Sequence, residues 1–94
     1  MKVAWSAPAQ NDLIAIIDHI AADNPAAALA TVERTDGLVE ALADHPRRGR
    51  PGRVARTREL VVPNLPYIVA YRLSDEQVQV LRVLHTSRKW SESV

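Results

Sequence analysis

Apolar residues in the first half of the chain recur with the period of an α-helix. Leu13, Ile16, Ile17 and Ile20 follow the spacing i, i+3, i+4, i+7. This spacing predicts a first helix that ends near Ala22, with its polar side turned towards water.

The residues before this helix indicate how it begins. Val3–Ser6 predicts a short opening strand. Ser6 is a suitable N-cap, and Pro8 falls in the first turn, where proline is tolerated.

A second helix is predicted after a sharp break. Asn24 caps well, and Pro25 suits the first helical position. We expect this helix to run from Pro25 to about Asp44, where His45-Pro46 stops it. Because the break is so short, the two helices should form an antiparallel hairpin.

The second half of the chain changes from a loop to strands. Residues 46–58 are rich in Pro, Gly and Arg and predict a loop. Three strands are then predicted over Glu59–Val62, Tyr67–Leu73 and Val78–His85, joined by turns too short for crossovers and therefore antiparallel. The predicted order is β-α-α-β-β-β, which is an α+β fold.

A turn at Asp75-Glu76 fixes a register for the last two strands. It places Arg72 opposite Gln79 and Arg82 opposite Val69, with Arg82 diagonally between two tyrosines. Both faces of this strand pair are largely apolar. Since the helices can cover only one face, we expect something outside the chain to cover the other.

Length and composition restrict the class of protein. Ninety-four residues predict one domain, spanning residues 1–94. The absence of cysteine excludes disulfides and thiolate chemistry, and the three histidines lack metal-ligand spacing, so we expect no metal and no cofactor. The sequence has neither an apolar run that could span a membrane nor a signal peptide, which predicts a cytoplasmic protein.

Charge is unevenly divided along the chain. The first 45 residues carry seven acidic and two basic side chains, and the remaining 49 carry ten basic and four acidic ones. Either the second half meets an anionic partner, or the two halves neutralise each other within one fold.

The chemistry available without a metal depends on arginines and one late histidine. Guanidiniums can stabilise charge that develops on a phosphate, and an imidazole such as that of His85 can move a proton. The same groups can equally do no more than bind an anionic surface. Arg82 is open to two interpretations, as a site residue or as the partner in an ion pair.

The chain resembles the ParE/RelE toxins of bacterial type II toxin–antitoxin systems, also called plasmid stabilisation proteins. The resemblance is carried by VAWSAPAQNDL, the break at Asn24-Pro25, TRELVVPNLPYIVAYRL and LRVLHTSRKW. It implies an N-terminal helical hairpin on a small curved antiparallel sheet and a single toxin domain. It also implies growth inhibition, neutralisation by a cognate antitoxin, and contact with operator DNA only through that antitoxin.

The resemblance implies two possible mechanisms. ParE-like members poison DNA gyrase without catalysis, whereas RelE-like members cleave mRNA on the ribosome. We expect the ParE-like activity, because no tyrosine follows the last strand and the loop cations are all arginine. The RelE-like nuclease is the alternative, and a non-toxic nucleic-acid-binding module is a distant third.

Each mechanism implies its own residues. If the protein is RelE-like, the catalytic residues would be Arg58, Arg82 and His85. The residues expected to bind the target or nucleic acid are Arg47, Arg48, Arg50, Arg53, Arg56, Arg72, Arg88, Lys89 and Trp90.

Overall fold

The computed structural model describes residues 1–87 of the chain. Its elements are β1 (Lys2–Trp5), α1 (Ala7–Ala21), α2 (Pro25–Ala41), β2 (Arg50–Pro51), β3 (Arg58–Val61), β4 (Tyr67–Ser74) and β5 (Gln77–His85). The predicted order of helices and strands is confirmed. The short strand β2 was not predicted, because it lies inside the Pro- and Gly-rich loop.

Both helices begin at the predicted caps. The Ser6 side chain accepts a hydrogen bond from the Ala9 N–H at 3.2 Å, and Asn24 Oδ1 accepts one from the Ala27 N–H at 3.1 Å. These bonds satisfy amide groups that have no partner inside the helix. Helix α2 ends at Ala41, before the predicted Asp44, because the next three amides bond to carbonyls three residues back.

The five strands form one mixed sheet with the order β1-β5-β4-β3-β2. Strands β3, β4 and β5 are antiparallel neighbours, as predicted. Strand β1 lies parallel to β5 at the sheet edge, which the sequence pattern did not indicate. The chain between these two parallel strands is long, since it contains both helices and the strands β2, β3 and β4.

A β-bulge changes the predicted register of β4 and β5. Arg72 pairs with Gln79, as predicted, but Arg82 pairs with Ala70 and not with Val69. Leu81 is the extra residue, so every position after it shifts to the other face of the sheet. The prediction that Arg82 lies between Tyr67 and Tyr71 is therefore wrong, because its direct partner is Ala70, which lies on the opposite face of β4.

The core lies between the helices and one face of the sheet. Val39 of α2 and Leu42, which directly follows this helix, pack with Tyr71, Val69 and other buried residues of β4 and β5. The predicted stripe on α1 is only half-buried, and its Ile16 and Ile20 pack against this core.

The other face of the sheet carries Ile68, Ala70 and Leu84, which are buried within the chain, and Val61, which lies opposite Ile68 and is 46% exposed. Of these four positions, only Val61 offers the exposed apolar surface that was expected to meet an outside partner. Within residues 1–87, neither helix has the length and hydropathy needed to cross a membrane.

Candidate functional site at the arginine-rich loop

Tyr71 fixes the arginine-rich loop, residues 46–58, to the sheet. Its side chain is fully buried. The hydroxyl donates a hydrogen bond to the Pro46 carbonyl at 2.8 Å and accepts one from the Gly49 N–H at 2.9 Å. The start of the loop is thus held by a residue of the central strand β4.

Arg58 holds the same part of the loop from strand β3. Its Nη1 donates hydrogen bonds to the carbonyls of Gly49 at 2.7 Å and Arg47 at 3.3 Å. The side chain is half-buried. One edge of this guanidinium is therefore used to stabilise the loop.

Glu59 pairs with two of the loop arginines. Its carboxylate, only 4% exposed, accepts hydrogen bonds from the Arg53 N–H at 2.9 Å and from the Arg53 guanidinium at 3.3 and 3.4 Å. Arg50 Nη2 lies 3.6 Å from the same carboxylate. Burial opposes ionisation of Glu59, but the Arg53 hydrogen bonds and the charges of Arg53 and Arg50 outweigh it and lower the pKa of this carboxyl below 4.5.

The lowered pKa of Glu59 predicts a loss of stability in acid. A carboxyl whose pKa is lower in the folded state stabilises that state above its unfolded pKa, and this contribution disappears as pH falls through the folded value. We expect the free energy of unfolding to decrease less between about pH 6 and pH 3 in Glu59→Gln than in the wild type. Urea denaturation at several pH values measures the free energy of unfolding of both proteins. An equal decrease with falling pH in the two proteins would contradict this prediction.

Three loop arginines and Arg72 of β4 border a concave surface that we call the basic cleft. One part, a cavity of about 340 Å³, is lined by Arg47, Arg56 and Arg58 together with Pro51, Thr57 and Leu73. An adjoining cavity of about 530 Å³ shares Arg56, Thr57 and Leu73 and adds Arg72. The basic cleft therefore brings together four of the predicted site arginines.

Arg82 lies outside the basic cleft and is paired with α1. Its Nε and Nη2 donate hydrogen bonds to the two carboxylate oxygens of Asp12 at 2.7 and 3.0 Å. Asp12 also accepts a hydrogen bond from the Val83 N–H at 2.9 Å. Val83 lies after Val80, the last residue of β5 that pairs with β1. The hydrogen bonds that Arg82 donates to Asp12 outweigh burial and raise the pKa of Arg82, which fixes its positive charge.

His85 lies at the end of β5 and is exposed. Its ring meets the Tyr67 ring edge-to-face at 5.7 Å between centroids. The Ser87 N–H donates a hydrogen bond to Nδ1 at 3.1 Å, and the Ser87 hydroxyl lies 2.7 Å from the same nitrogen. A cavity of about 240 Å³ beside it is lined by Asp12, His19 and Tyr67, among others.

The three residues expected for a nuclease do not converge. Arg58 pairs with Tyr71 on β4. His85 pairs with Tyr67 on the same strand. Arg58 and His85 are therefore about 13 Å apart along the strand direction, at about 3.3 Å per residue. Arg82 pairs with Ala70 and belongs to the opposite face. Three of the expected binding residues, Arg88, Lys89 and Trp90, lie outside the described residues.

Sequence reasoning missed Asp12, Glu59 and Tyr71. A signal existed for Glu59, which is the only acidic residue between Asp44 and Asp75. No such signal marks Asp12, because its partner Arg82 lies 70 residues away. Within residues 1–87, no group of three or more His, Asp or Glu side chains is placed to hold a metal ion.

Comparison with known proteins places this geometry in a family. The profile of the ParE toxin of type II toxin–antitoxin system, parDE, matches residues 3–90. The chain is 41% identical over 91 residues to Y4kP of Sinorhizobium fredii, which is named as a candidate toxin, and the match covers 97% of this chain and 94% of that protein. It is 38% identical over 87 residues to Toxin RelE2 of Caulobacter vibrioides, covering 93% and 97% of the two chains.

A solved structure agrees with this assignment. A chain of the chromosomal ParDE toxin–antitoxin system from P. aeruginosa superposes with a TM-score of 0.82 at 30% identity, covering 90% of this chain and 95% of that one. The protein therefore belongs to the ParE toxin family of type II toxin–antitoxin systems, whose members are paired with an antitoxin.

Proposed function

We propose that this protein arrests bacterial growth by poisoning DNA gyrase in the cytoplasm, as a binding inhibitor without catalysis. Membership of the ParE family supports this mechanism. The observation that favours gyrase poisoning over mRNA cleavage is the ion pair between Arg82 and Asp12. This pair gives Arg82 a structural role, whereas a RelE-like nuclease would need it for catalysis.

The exposed arginines are the groups that we assign to target binding. Arg47, Arg48, Arg56 and Arg72 are exposed and form no salt bridge within residues 1–87. Arg50 and Arg53 are exposed as well, but they are paired with Glu59. Arg88, Lys89 and Trp90 complete the proposed target-binding set. Guanidiniums suit this role because they bind carboxylates and phosphates through two parallel hydrogen bonds.

Ribosome-dependent mRNA cleavage is the second candidate. It is supported by the 38% identity to Toxin RelE2 of Caulobacter vibrioides and by the exposed imidazole of His85, because the protonated form of such a ring can donate a proton. In this mechanism His85 would act as the general acid, and Arg58 would stabilise charge on the phosphate.

Induced expression in bacteria separates the two candidates. We expect growth arrest with induction of the SOS response and intact mRNA, both in the wild type and in His85→Ala. The reason is that a gyrase poison leaves broken DNA but needs no proton transfer from His85. His85 is exposed, so its replacement should leave the fold intact. Growth curves, an SOS reporter and mRNA sequencing make the measurement.

Other outcomes have definite meanings. Arrest with mRNA cleavage that disappears in His85→Ala would make the protein a RelE-like nuclease. An absence of arrest, with the folded protein present at the expected level, would refute both candidates for this chain.

A further inference from the structure

A separate cavity lies at the start of β4, away from the basic cleft. Its volume is about 240 Å³, and the side chains of His19, Tyr67 and His85 contribute to its lining. We call it the two-histidine pocket. Tyr67 is five residues from Arg72 of the basic cleft, which is about 16 Å along β4 at about 3.3 Å per residue. Gyrase poisoning as proposed above makes no use of this pocket.

Tyr67 brings to the pocket a buried hydroxyl that lacks a hydrogen-bond partner. The residue is only 8% exposed, and within residues 1–87 no hydrogen bond reaches its hydroxyl. The hydroxyl of Tyr71, by contrast, both donates and accepts a hydrogen bond. Buried polar groups are normally satisfied, and the exceptions mark places that a further molecule completes. Since Tyr67 lines the pocket, a molecule in the pocket can supply the missing partner.

The charges around the pocket favour a neutral ligand. Asp12 is the one charged residue among the described residues of the lining. Its carboxylate is already paired with the Arg82 guanidinium and accepts the Val83 N–H. No lysine or arginine of the described chain lines the pocket to attract a phosphate. Residues 1–87 also offer no group of three ligands that could hold a metal ion.

The shape of the pocket favours a flat ring. Its apolar wall consists of Ala15, Ile16 and Val83. The rings of Tyr67 and His85 stand at 89° to each other, and His85 is exposed, so a planar ligand can stack on the imidazole. A phenol and a neutral imidazole both donate and accept hydrogen bonds. The volume would hold about eight water molecules at about 30 Å³ each, which is room for one small ring system.

We infer that the two-histidine pocket binds a neutral heteroaromatic ring of the nucleobase class. The Tyr67 hydroxyl bonds to a ring nitrogen or carbonyl, the His85 ring stacks on the ligand, and His19 binds its edge. The same ring chemistry is found in a free nucleoside and in an unstacked base of a nucleic-acid strand. The inference does not depend on gyrase being the target.

Nuclear magnetic resonance of the histidine rings tests the pocket directly. The chain has three histidines, so the ring signals of His19 and His85 report on the pocket, and that of His45 is an internal control outside it. The purified protein is titrated at constant pH with adenosine or with cytidine up to about 10 mM, a range that suits a ligand of this size. Inorganic phosphate and zinc chloride are the charged comparison probes.

Tyr67→Phe is the decisive variant, because it removes only the hydroxyl and keeps the buried ring. We expect a nucleoside to shift the His19 and His85 signals to saturation, and Tyr67→Phe to raise its Kd about 3- to 10-fold. His45→Ala, at an exposed position outside the pocket, should leave the Kd within about 2-fold of the wild-type value. Thermal unfolding of both variants checks that the fold is retained.

Three results would overturn the inference. They are the absence of shifts at His19 and His85 with either nucleoside, shifts produced only by phosphate or only by zinc, and equal nucleoside affinity in the wild type and Tyr67→Phe. Where a nucleoside binds as expected, a 20-nucleotide single-stranded DNA distinguishes the source of the ring. Shifts of the same two signals at a lower DNA concentration assign a base within a strand, and shifts with the nucleoside alone assign the free molecule.

Discussion

Asp12→Ala is expected to lower the free energy of unfolding by about 2–4 kcal/mol, although the replaced residue lies on the polar side of α1. The substitution leaves the Arg82 guanidinium, only 20% exposed, without its carboxylate. It also leaves the Val83 N–H at the sheet edge without an acceptor. An unsatisfied buried donor or charge costs more than the hydrogen bond itself contributes.

Urea denaturation of a double-mutant cycle measures this coupling. Asp12→Ala, Arg82→Ala and the double variant should be non-additive by about 1–3 kcal/mol, since both single variants break the same pair. Asp18→Ala, on the exposed side of the same helix, is the control and should change stability by less than about 0.5 kcal/mol. Additive single effects would contradict a structural role for Arg82.

The same single variants distinguish a structural role of Arg82 from a catalytic one when growth arrest is measured. Arg82→Ala is expected to weaken growth arrest by unfolding the protein, and Asp12→Ala should weaken it equally. If Arg82 were catalytic, Asp12→Ala would retain the guanidinium and much of the activity. Parallel loss in the two variants supports the structural role.

The same substitution at two glycines is expected to change stability in opposite directions. A Cβ at Gly49 would lie 2.7 Å from the Tyr71 hydroxyl and 3.0 Å from the Glu59 carbonyl oxygen. Tyr71 is fully buried and cannot move away, so Gly49→Ala should destabilise the protein by about 2–4 kcal/mol. Detachment of the arginine-rich loop should accompany this loss.

Gly37 provides the matched control. It lies inside α2 and is exposed, and an added Cβ would meet nothing within 4 Å. Gly37→Ala should therefore stabilise the protein by about 0.5–1 kcal/mol, because alanine loses less conformational entropy in a helix. Thermal unfolding of both variants by circular dichroism tests the pair, and destabilisation of similar size at both positions would contradict the account.

The order of elements could be predicted because local signals agree along the chain. Ser6 and Asn24 mark the helix starts, and β-branched runs mark β4 and β5. The position of β1 could not be predicted, since it pairs with a strand more than 70 residues away. The bulge at Leu81 could not be predicted either, because both faces of this strand pair are largely apolar and either register buries apolar residues.

The candidate site was predictable in composition but not in arrangement. The cluster of arginines is evident in the sequence, yet only the structure divides it into residues neutralised by Glu59, a residue that holds the loop, and residues that line the basic cleft. Arg82 illustrates the limit most clearly. Its role is determined by Asp12, which no local pattern connects to it.

The most direct test of gyrase poisoning uses purified components. Supercoiled plasmid, gyrase and ATP are incubated with the wild-type protein or with His85→Ala, and the DNA is examined after denaturation of the enzyme. Gyrase poisoning predicts linear, protein-linked DNA with both proteins. Intact plasmid with both proteins, together with cleavage of ribosome-bound mRNA that is lost in His85→Ala, would contradict it.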